Sequence, residues 1–301
     1  MKYKRRAERD SMQENIKKET VQNAKNHTPR ILTMQDISCV GQCSLTVALP
    51  ILSACGIETA VLPSAVLSTH TGFSSFTFRD LTDDIAPIMD NWQKQGLVFE
   101  ALYTGYLGNM RQVELVKSLQ KKVLTATAKT FIDPAMADNG KLYVGFDQRF
   151  VDAMKSLIAV SDVLLPNITE ACLLTDTPYR EEGDIAWMHD LAEKLLLQGA
   201  KNVVLTGINQ EEGKTGVLVA GEAGEEVYTH RMLHPGSHGT GDIFASVLVG
   251  ACMRGKSLEE AARIAADFTV LAVEETHKDT AHWYGARFEP VLEKLMRLLT
   301  V

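Results

Sequence analysis

The chain has 301 residues, of which 45% are hydrophobic, 23% charged and 7% aromatic. This composition suits a globular protein and excludes a collagen, a wholly disordered chain or a disulfide miniprotein. The charge is uneven, because residues 1–30 hold nine Lys/Arg against four Asp/Glu and residues 31–301 hold 22 against 34. The resulting net charge of −12 on residues 31–301 argues against nucleic acid as the main partner, since phosphate binding needs a basic face.

The basic segment 1–30 contains no apolar run of the roughly 7–15 residues that a signal peptide needs. We predict that it is an exposed extension of a single domain over residues 31–301, with an RNA or anionic-surface tether as the alternative. No stretch approaches about 18 uninterrupted apolar residues, so we expect no membrane span. Five scattered cysteines and the lack of an export signal predict reduced thiols in a cytoplasmic protein.

From Ile31 onward, short apolar runs alternate with longer amphipathic segments. The predicted strands are Ile31–Ile37, Thr59–Val66, Val98–Thr104, Thr130–Ile132, Val163–Leu165, Asn202–Thr206, Gly216–Val219 and Glu226–Met232. The predicted helices are Ser44–Cys55, Leu81–Gln95, Met110–Thr125, Asp147–Val160, a short one from Thr169, Ile185–Gln198, Gly241–Arg254, Ser257–Glu275 and Phe288–Leu299. Helices between strands indicate crossovers, and consecutive apolar residues indicate strands buried on both faces. We therefore predict a three-layer α/β/α fold, with a mostly parallel central sheet and a hairpin at one edge.

The most informative segment is Gly239-Thr240-Gly241-Asp242 (GTGD), which leads into an apolar helix. Its glycines let backbone N–H groups approach a ligand closely, and the helix start aims free donors at the same place. Asp242 stands in the first turn, where its carboxylate can accept a proton from a nucleophilic hydroxyl. Phosphoryl transfer needs these parts, although an ordinary capped helix start has the same letters. The sequence has no G-x-x-x-x-G-K-[ST] motif and no opening G-x-G-x-x-G motif, which argues against a P-loop enzyme and a Rossmann dehydrogenase.

The GTGD segment resembles the anion-hole and catalytic-base signature of the ribokinase superfamily. Further motifs are similar, in order, to its pyridoxal kinase branch: Ile37–Gly41 (ISCVG), Leu67–Gly72 (LSTHTG), Thr104–Gly108 (TGYLG), Asp133–Met136 (DPAM) and Pro166–Glu170 (PNITE). Each motif alone is weak, but the ordered set is specific. The resemblance implies a ribokinase-like fold and ATP-dependent phosphorylation of the 5′-hydroxymethyl group of pyridoxal, pyridoxine or pyridoxamine. That reaction would feed the salvage of pyridoxal 5′-phosphate.

The resemblance also implies a role for each matched residue. Asp242 is the expected base, and the amides of Gly239, Thr240 and Gly241 are expected to hold the phosphoryl group in transit. The residues expected to line the substrate ring are Ser38, His70, Thr71 and Tyr106. The residues expected at the ATP are Asp133, Asn167 and Thr206, with Mg²⁺ at Glu170 and a K⁺ requirement left open.

Each of these side chains has a structural interpretation as well. The structural alternatives are a turn at Asp133-Pro134, a helix start at Glu170, core packing of Tyr106, loop caps at Ser38 and Thr71, and structural imidazoles at His70 and His238. His238 and Thr69 depart from the commoner family pattern and leave the vitamer open.

Two other functions stay open at this point. A hydroxymethylpyrimidine kinase or another small-alcohol kinase would have the same fold. The pyrimidine kinases typically carry Cys where Asp242 stands, which favours the pyridoxal-type interpretation. A non-catalytic protein that binds a pyridine ligand is the alternative from a different class. The resemblance also implies a homodimer with small-molecule substrates, and the charge and hydropathy predict no nucleic-acid or membrane partner.

Overall fold

The computed structural model describes residues 28–181, 183–208, 213–233 and 237–300. Nearly all of the predicted extension 1–30 lies outside the described residues, as do residues 234–236 just before the GTGD segment. Within the described ranges, no helix has both the length and the apolar character that crossing a membrane requires.

The centre of the fold is a sheet of nine strands among the described residues, in the order β11-β10-β9-β8-β5-β4-β1-β2-β3. The strands are β1 (Arg30–Ser38), β2 (Glu58–Leu67), β3 (Phe78–Asp80), β4 (Phe99–Thr104), β5 (Leu124–Ile132), β8 (Val163–Leu164), β9 (Asn202–Ile208), β10 (Lys214–Gly221) and β11 (Gly224–Arg231). A separate hairpin consists of β6 (Ala137–Asp138) and β7 (Lys141–Leu142). The six strands from β9 to β2 pair in parallel, and β3, β10 and β11 at the edges pair antiparallel with their neighbours. The predicted parallel sheet with a late hairpin at its edge is therefore confirmed.

Helices cover both faces of this sheet. They are α1 (Leu45–Ala54), α2 (Thr82–Lys94), α3 (Met110–Lys122), α4 (Gln148–Lys155), α5 (Ile168–Leu174), α6 (Ile185–Leu197), α7 (Thr240–Met253), α8 (Leu258–Thr276) and α9 (Leu292–Leu298), with short 3₁₀ turns at Ile158–Val160 and Glu289–Val291. Helices α2–α6 bury their apolar residues on one face, and α1 and α7–α9 on the other.

The strands contribute to both of these apolar layers. On β1, Leu32 and Met34 belong to the layer under α2–α6, and Ile31 belongs to the opposite layer. On β4, Leu102 belongs to the layer under α2–α6 and Ala101 to the opposite layer. Since successive side chains of a strand point to opposite faces, these strands are apolar throughout. The burial confirms the three-layer prediction.

Strand β5 differs from the prediction, which placed a helix up to Thr125 and a strand only from Thr130. Helix α3 ends at Lys122, and β5 pairs with β4 at Leu124 and then again from Lys129, with an irregular stretch between. Alternating threonines in this stretch disfavour a helix, because β-branched side chains crowd the preceding turn. Strands β3, β6 and β7 were not predicted, since two or three residues carry no periodic signal.

The parallel strands bring their carboxyl ends to one edge, where ligands of open α/β sheets bind. Backbone hydrogen bonds join these ends in sequence. The N–H of Asp133 donates to the Thr104 carbonyl (3.1 Å), and the N–H of Thr206 donates to the Pro166 carbonyl (3.0 Å). The residues predicted from separate motifs therefore converge at one edge of the sheet.

Candidate active site

Helix α7 begins at this edge, and its first residues are the GTGD segment. Gly239 precedes the helix at φ +78°, and a Cβ atom there would lie 1.8 Å from the carbonyl oxygen of Gln42. Only glycine fits this position, because the conformation is left-handed and the backbone of the loop after β1 passes directly beside it. A Cβ on Gly241 would meet open space. The first N–H groups of α7 have no acceptor within the helix and are available to an anion.

Asp242 lies in the first turn of α7 and is half-buried. Burial raises the pKa of its carboxyl group to about 7; the backbone N–H of Ser44 opposes this shift and the charge of Asp36 adds to it. A carboxylate with a pKa near neutrality suits a general base, since it is both ionised in part and basic enough to take a proton.

Ser44 joins the loop after β1 to this base. Its φ is +51°, in the left-handed region that residues with a Cβ rarely adopt. Its backbone N–H donates to Asp242, and its hydroxyl hydrogen-bonds Asp36. Strained residues of this kind persist where the surrounding structure fixes them, often at functional sites. Ser44 therefore holds two acidic side chains of the site in a fixed relation.

Two further carboxyl groups stand beside Asp242. Burial raises the pKa of Asp133 well above its usual range, and the charges of Glu170 and Asp242 raise it further. Burial likewise raises the pKa of Glu170 to about 8, against backbone hydrogen bonds that lower it. Like charges held this close favour a cation between them. The site thus combines N–H donors for an anion with an acidic group for a metal ion.

The acidic group fits Mg²⁺ better than a metal held only by protein. Within the described ranges, no three His, Cys, Asp or Glu side chains are grouped closely enough to form a metal cage. Asp133 and Glu170 would supply hard oxygen ligands, and phosphate and water oxygens would complete the coordination. Mg²⁺ is usually bound in this way, since it keeps several waters and prefers substrate phosphates.

Asn167 and Glu170 form a capping box at the start of α5. The Asn167 Oδ1 atom accepts from the Glu170 N–H (2.9 Å), and Glu170 Oε2 accepts from the Asn167 N–H (2.9 Å). Glu170 Oε1 also accepts from the Met136 N–H (3.0 Å), and Asn167 Nδ2 donates to the Ala137 carbonyl (2.8 Å). These bonds fix the segment after Asp133 against α5. A direct contact of Asn167 with ATP stays a prediction.

Thr206 lies beside Asn167, with which it forms an isolated parallel β-bridge. Its hydroxyl donates weakly to the Pro166 carbonyl (3.4 Å). The strand continues beyond the predicted end at Thr206 to Ile208, through Gly207 at φ +81°. The structure thus brings Thr206 to the predicted ATP side of the site, and its contact with phosphate stays a prediction.

The predicted ring-binding residues follow β1, β2 and β4, which lie across β5 from the strands next to Asn167 and Thr206. Ser38 is 1% exposed, and its hydroxyl donates to Asp36 Oδ2 (3.0 Å). Tyr106 is half-buried and stacks on Phe146, with ring centroids 5.6 Å apart. Burial raises the pKa of Tyr106 to about 12, and the Asp36 charge adds to the shift. The phenol therefore stays protonated and can donate a hydrogen bond.

His70 is held by the backbone on both ring nitrogens. Its Nε2 atom is 2.9 Å from the Tyr284 carbonyl and must donate to it, while Nδ1 accepts from the Gly72 N–H (3.0 Å). Burial lowers the pKa of this imidazole, and a ring that accepts a hydrogen bond at Nδ1 is neutral. His70 can offer a ligand only the face or edge of its ring, which favours its structural interpretation. Thr71 beside it is exposed.

The sequence analysis missed three residues of this site. Asp36 and Ser44 belong to the network around Asp242. Tyr143 follows β7 and is 42% exposed as a residue, but partial desolvation and the charges of Glu170 and Asp133 raise the pKa of its phenol. An acidic residue near the end of an apolar strand could have indicated Asp36, which shares its strand face with Ser38 at i, i+2. Nothing in the sequence indicated Ser44 or Tyr143, since both depend on loop conformation.

This fold and this arrangement of amides and carboxylates are those of a ribokinase-like kinase. The chain belongs to the phosphomethylpyrimidine kinase family, whose model matches residues 90–286. A pyridoxal kinase structure from Lactobacillus plantarum is similar, with 32% identity and a TM-score of 0.83 over 90% of this chain and 98% of that one. A Bacteroides thetaiotaomicron structure with pyridoxal, provisionally named a phosphomethylpyrimidine kinase, has 34% identity and a TM-score of 0.85 over 91% and 96%. The hydroxymethylpyrimidine/phosphomethylpyrimidine kinase of Bacillus subtilis is 28% identical over 72% of this chain and 77% of that protein.

Proposed function

We propose that the protein is a pyridoxal kinase, which transfers the γ-phosphoryl group of ATP to the 5′-hydroxymethyl group of a B6 vitamer. The observation that carries this proposal is the carboxylate of Asp242 at the start of α7, next to the free N–H groups of that helix start and near Asp36 at the end of β1 and Ser44 in the loop after it. The similarity to a pyridoxal kinase and to a protein crystallised with pyridoxal supports the choice of substrate.

The mechanism follows from the positions of this chain's own groups. Asp242 accepts the proton of the substrate hydroxyl as its oxygen attacks the γ-phosphorus in line. The N–H groups of Gly239, Thr240 and Gly241 stabilise the charge on the oxygens of the phosphoryl group in transit. Tyr106 and Ser38 orient the ring so that the hydroxyl faces Asp242. Mg²⁺ near Asp133 and Glu170 would supply the remaining neutralisation of phosphate charge.

A hydroxymethylpyrimidine kinase is the second candidate, because the Bacillus subtilis relative is named a hydroxymethylpyrimidine/phosphomethylpyrimidine kinase and the family model is named for phosphomethylpyrimidine kinase. The aspartate at position 242 favours the pyridoxal-type activity, since the resemblance associates pyrimidine kinases with cysteine there. Both candidates use the same base position and the same phosphate cradle. They differ in the ring that the pocket selects.

Three further properties belong to this proposal. We expect a single kinase domain over residues 31–301 that works as a homodimer, as the resemblance implies. A cytoplasmic location is supported by the five free thiols and by the use of ATP. The acidic charge of residues 31–301 supports small-molecule partners over nucleic acid.

An ADP-release assay of the purified full chain with ATP, Mg²⁺ and K⁺ tests the function. The panel contains the three B6 vitamers, hydroxymethylpyrimidine and ribose, and Asp242→Asn serves as the inactive control. We expect ADP release with at least one vitamer and little with ribose. Turnover of hydroxymethylpyrimidine alone would replace the proposal by the second candidate, and no ADP release with any alcohol would indicate a binding protein.

A further inference from the structure

His238 is an exposed histidine directly before the GTGD segment, and the reaction as described does not use it. Its backbone is fixed on both sides, because its carbonyl accepts from the Ala286 N–H (3.0 Å) and the next residue, Gly239, packs against the Gln42 carbonyl. An imidazole with a purely structural role is expected to hydrogen-bond through its ring nitrogens, as His70 does. Among the residues that the structure describes, no hydrogen bond engages the ring nitrogens of His238. A structural role therefore does not account for its side chain.

The start of α7 brings His238 and the base Asp242 to the same place. Helix side chains tilt toward the amino-terminal end of the helix, so the Asp242 carboxylate is directed back toward the residues that precede α7. It accepts there from the Ser44 N–H. A substrate hydroxyl that gives its proton to Asp242 is therefore at this end of the helix, beside the segment that contains His238.

The ring of His238 is turned toward the loop after β2. It lies against the ring of His70, with centroids 4.9 Å apart and an angle of 37° between the planes. Gly72 leaves room for both rings, since a Cβ atom there would be 3.0 Å from His238 Nε2 and 2.8 Å from His70 Cε1. His238 thus connects the helix start that carries the base to a residue predicted to line the substrate ring. Unlike His70, it has ring nitrogens that are open to a ligand.

The chemistry of an imidazole matches the group in which the B6 vitamers differ. The ring atom next to the one that carries the reacting hydroxymethyl group bears an aldehyde in pyridoxal, a hydroxymethyl group in pyridoxine and an aminomethyl group in pyridoxamine. A neutral imidazole has one N–H donor and one acceptor nitrogen. It can donate to the oxygen of the first two groups and accept from the ammonium of the third.

We propose that His238 is a specificity-determining residue whose imidazole hydrogen-bonds the substituent next to the reacting hydroxymethyl group. This inference rests on the proposed function. The two groups stand on adjacent ring atoms, so a substrate whose hydroxyl is held by Asp242 presents its second polar group at the same helix start. The pocket then favours ring alcohols with a polar group at that position over those with a methyl group.

The test is a double-mutant cycle between the enzyme and its substrate. Steady-state kinetics at saturating ATP give kcat/KM for pyridoxine and for 4-deoxypyridoxine, in which a methyl group replaces the neighbouring hydroxymethyl group and the reacting one is kept. The variants are His238→Leu, which removes the imidazole, and His238→Gln, whose amide can still donate and accept. The matched control is His189→Leu, a partly exposed histidine of α6 that pairs with Glu225.

We expect the wild type to prefer pyridoxine over the 4-deoxy analogue by about 3- to 15-fold in kcat/KM, as for one neutral hydrogen bond. His238→Leu should lose this preference through a fall for pyridoxine alone, His238→Gln should restore most of it, and His189→Leu should behave as the wild type does. A wild type without the preference, a preference that survives in His238→Leu, or an equal loss for both substrates would each overturn the inference and leave the proposed function standing. Turnover of neither alcohol by the wild type would overturn both.

Discussion

Replacing Asp242 by Asn tests the role of this carboxylate in catalysis and in stability at once. The amide keeps the size of the side chain and its oxygen can still accept from the Ser44 N–H, but it cannot take a proton. General bases contribute about 10²- to 10⁴-fold to turnover, so kcat should fall by that factor with little change in the KM for the vitamer.

The raised pKa of Asp242 also predicts a pH dependence. The carboxylate must be ionised to act as a base, and its pKa is raised to about 7. The wild-type kcat/KM should therefore fall about tenfold per pH unit below neutrality. The residual activity of Asp242→Asn should lose the part of this dependence that position 242 causes, because the variant has no carboxyl group to titrate there.

The same shift predicts that Asp242→Asn is more stable than the wild type above neutral pH. The fold disfavours the ionised form, so the wild type loses stability as the pH rises from about 4 to about 7. A shift from 3.8 to about 7 corresponds to at most about 4 kcal/mol, and partial exposure of the side chain reduces this to about 1–2 kcal/mol. The variant avoids that loss, as is common where an active site is built at the expense of stability.

The assay pairs initial rates with denaturant unfolding at pH 5 and pH 8 for both proteins. We expect the variant to be about 1–2 kcal/mol more stable at pH 8, with a smaller difference at pH 5. A variant with near-normal turnover would refute the base assignment. A variant less stable than the wild type at pH 8 would refute the argument from burial.

The remaining predictions concern the helix start, the acidic pair and the basic extension. Gly239→Ala should lose at least 100-fold in kcat/KM and about 2 kcal/mol or more in unfolding free energy, because its Cβ would meet the Gln42 carbonyl at φ +78°. Gly241→Ala, whose Cβ meets open space, should unfold like the wild type, and equal destabilisation of both would contradict the steric argument. Glu170→Gln should raise the Mg²⁺ concentration for half-maximal velocity about tenfold, measured by Mg²⁺ titration at fixed ATP, because it removes one of two hard carboxylates. Deletion of residues 1–27 should leave kcat/KM unchanged, because β1 begins at Arg30 and the motifs begin later. Poor ATP binding by the truncated chain would show that the domain boundary is misplaced.

Much of the fold could be predicted because the parallel strands are apolar on both faces. Ile31 and Leu32 are consecutive and enter opposite apolar layers, and a run of consecutive apolar residues is by itself typical of a sheet covered on both faces. The start of β5 could not be predicted, since Leu124 pairs with β4 across an irregular stretch that tertiary contact decides. The local pattern of apolar and polar residues carries no information about strand pairing that is interrupted in this way.

The residues of the site also fall into two groups, those that local sequence could predict and those whose contacts come from distant parts of the chain. The GTGD segment could be recognised because glycine and a first-turn acid have local physical reasons to stand at a helix start. His70 and Asn167 could be placed near the site, but their engagement by backbone groups depends on Tyr284 and Ala137, which are distant in sequence. The Asp36–Ser38 bond is local, yet the place of Asp36 in the network around Asp242 depends on its burial and on the distant contact with Asp242.

Competition between ring alcohols in one reaction tests the central claim most directly. Pyridoxine and hydroxymethylpyrimidine are mixed at equal concentration with ATP, Mg²⁺, K⁺ and the full chain, and mass spectrometry follows the two phosphorylated products. Their ratio at early times equals the ratio of the two kcat/KM values. We expect the pyridoxine 5′-phosphate to dominate by at least tenfold. Dominance of the pyrimidine phosphate, or formation of neither product, would contradict the assignment as a B6 vitamer kinase.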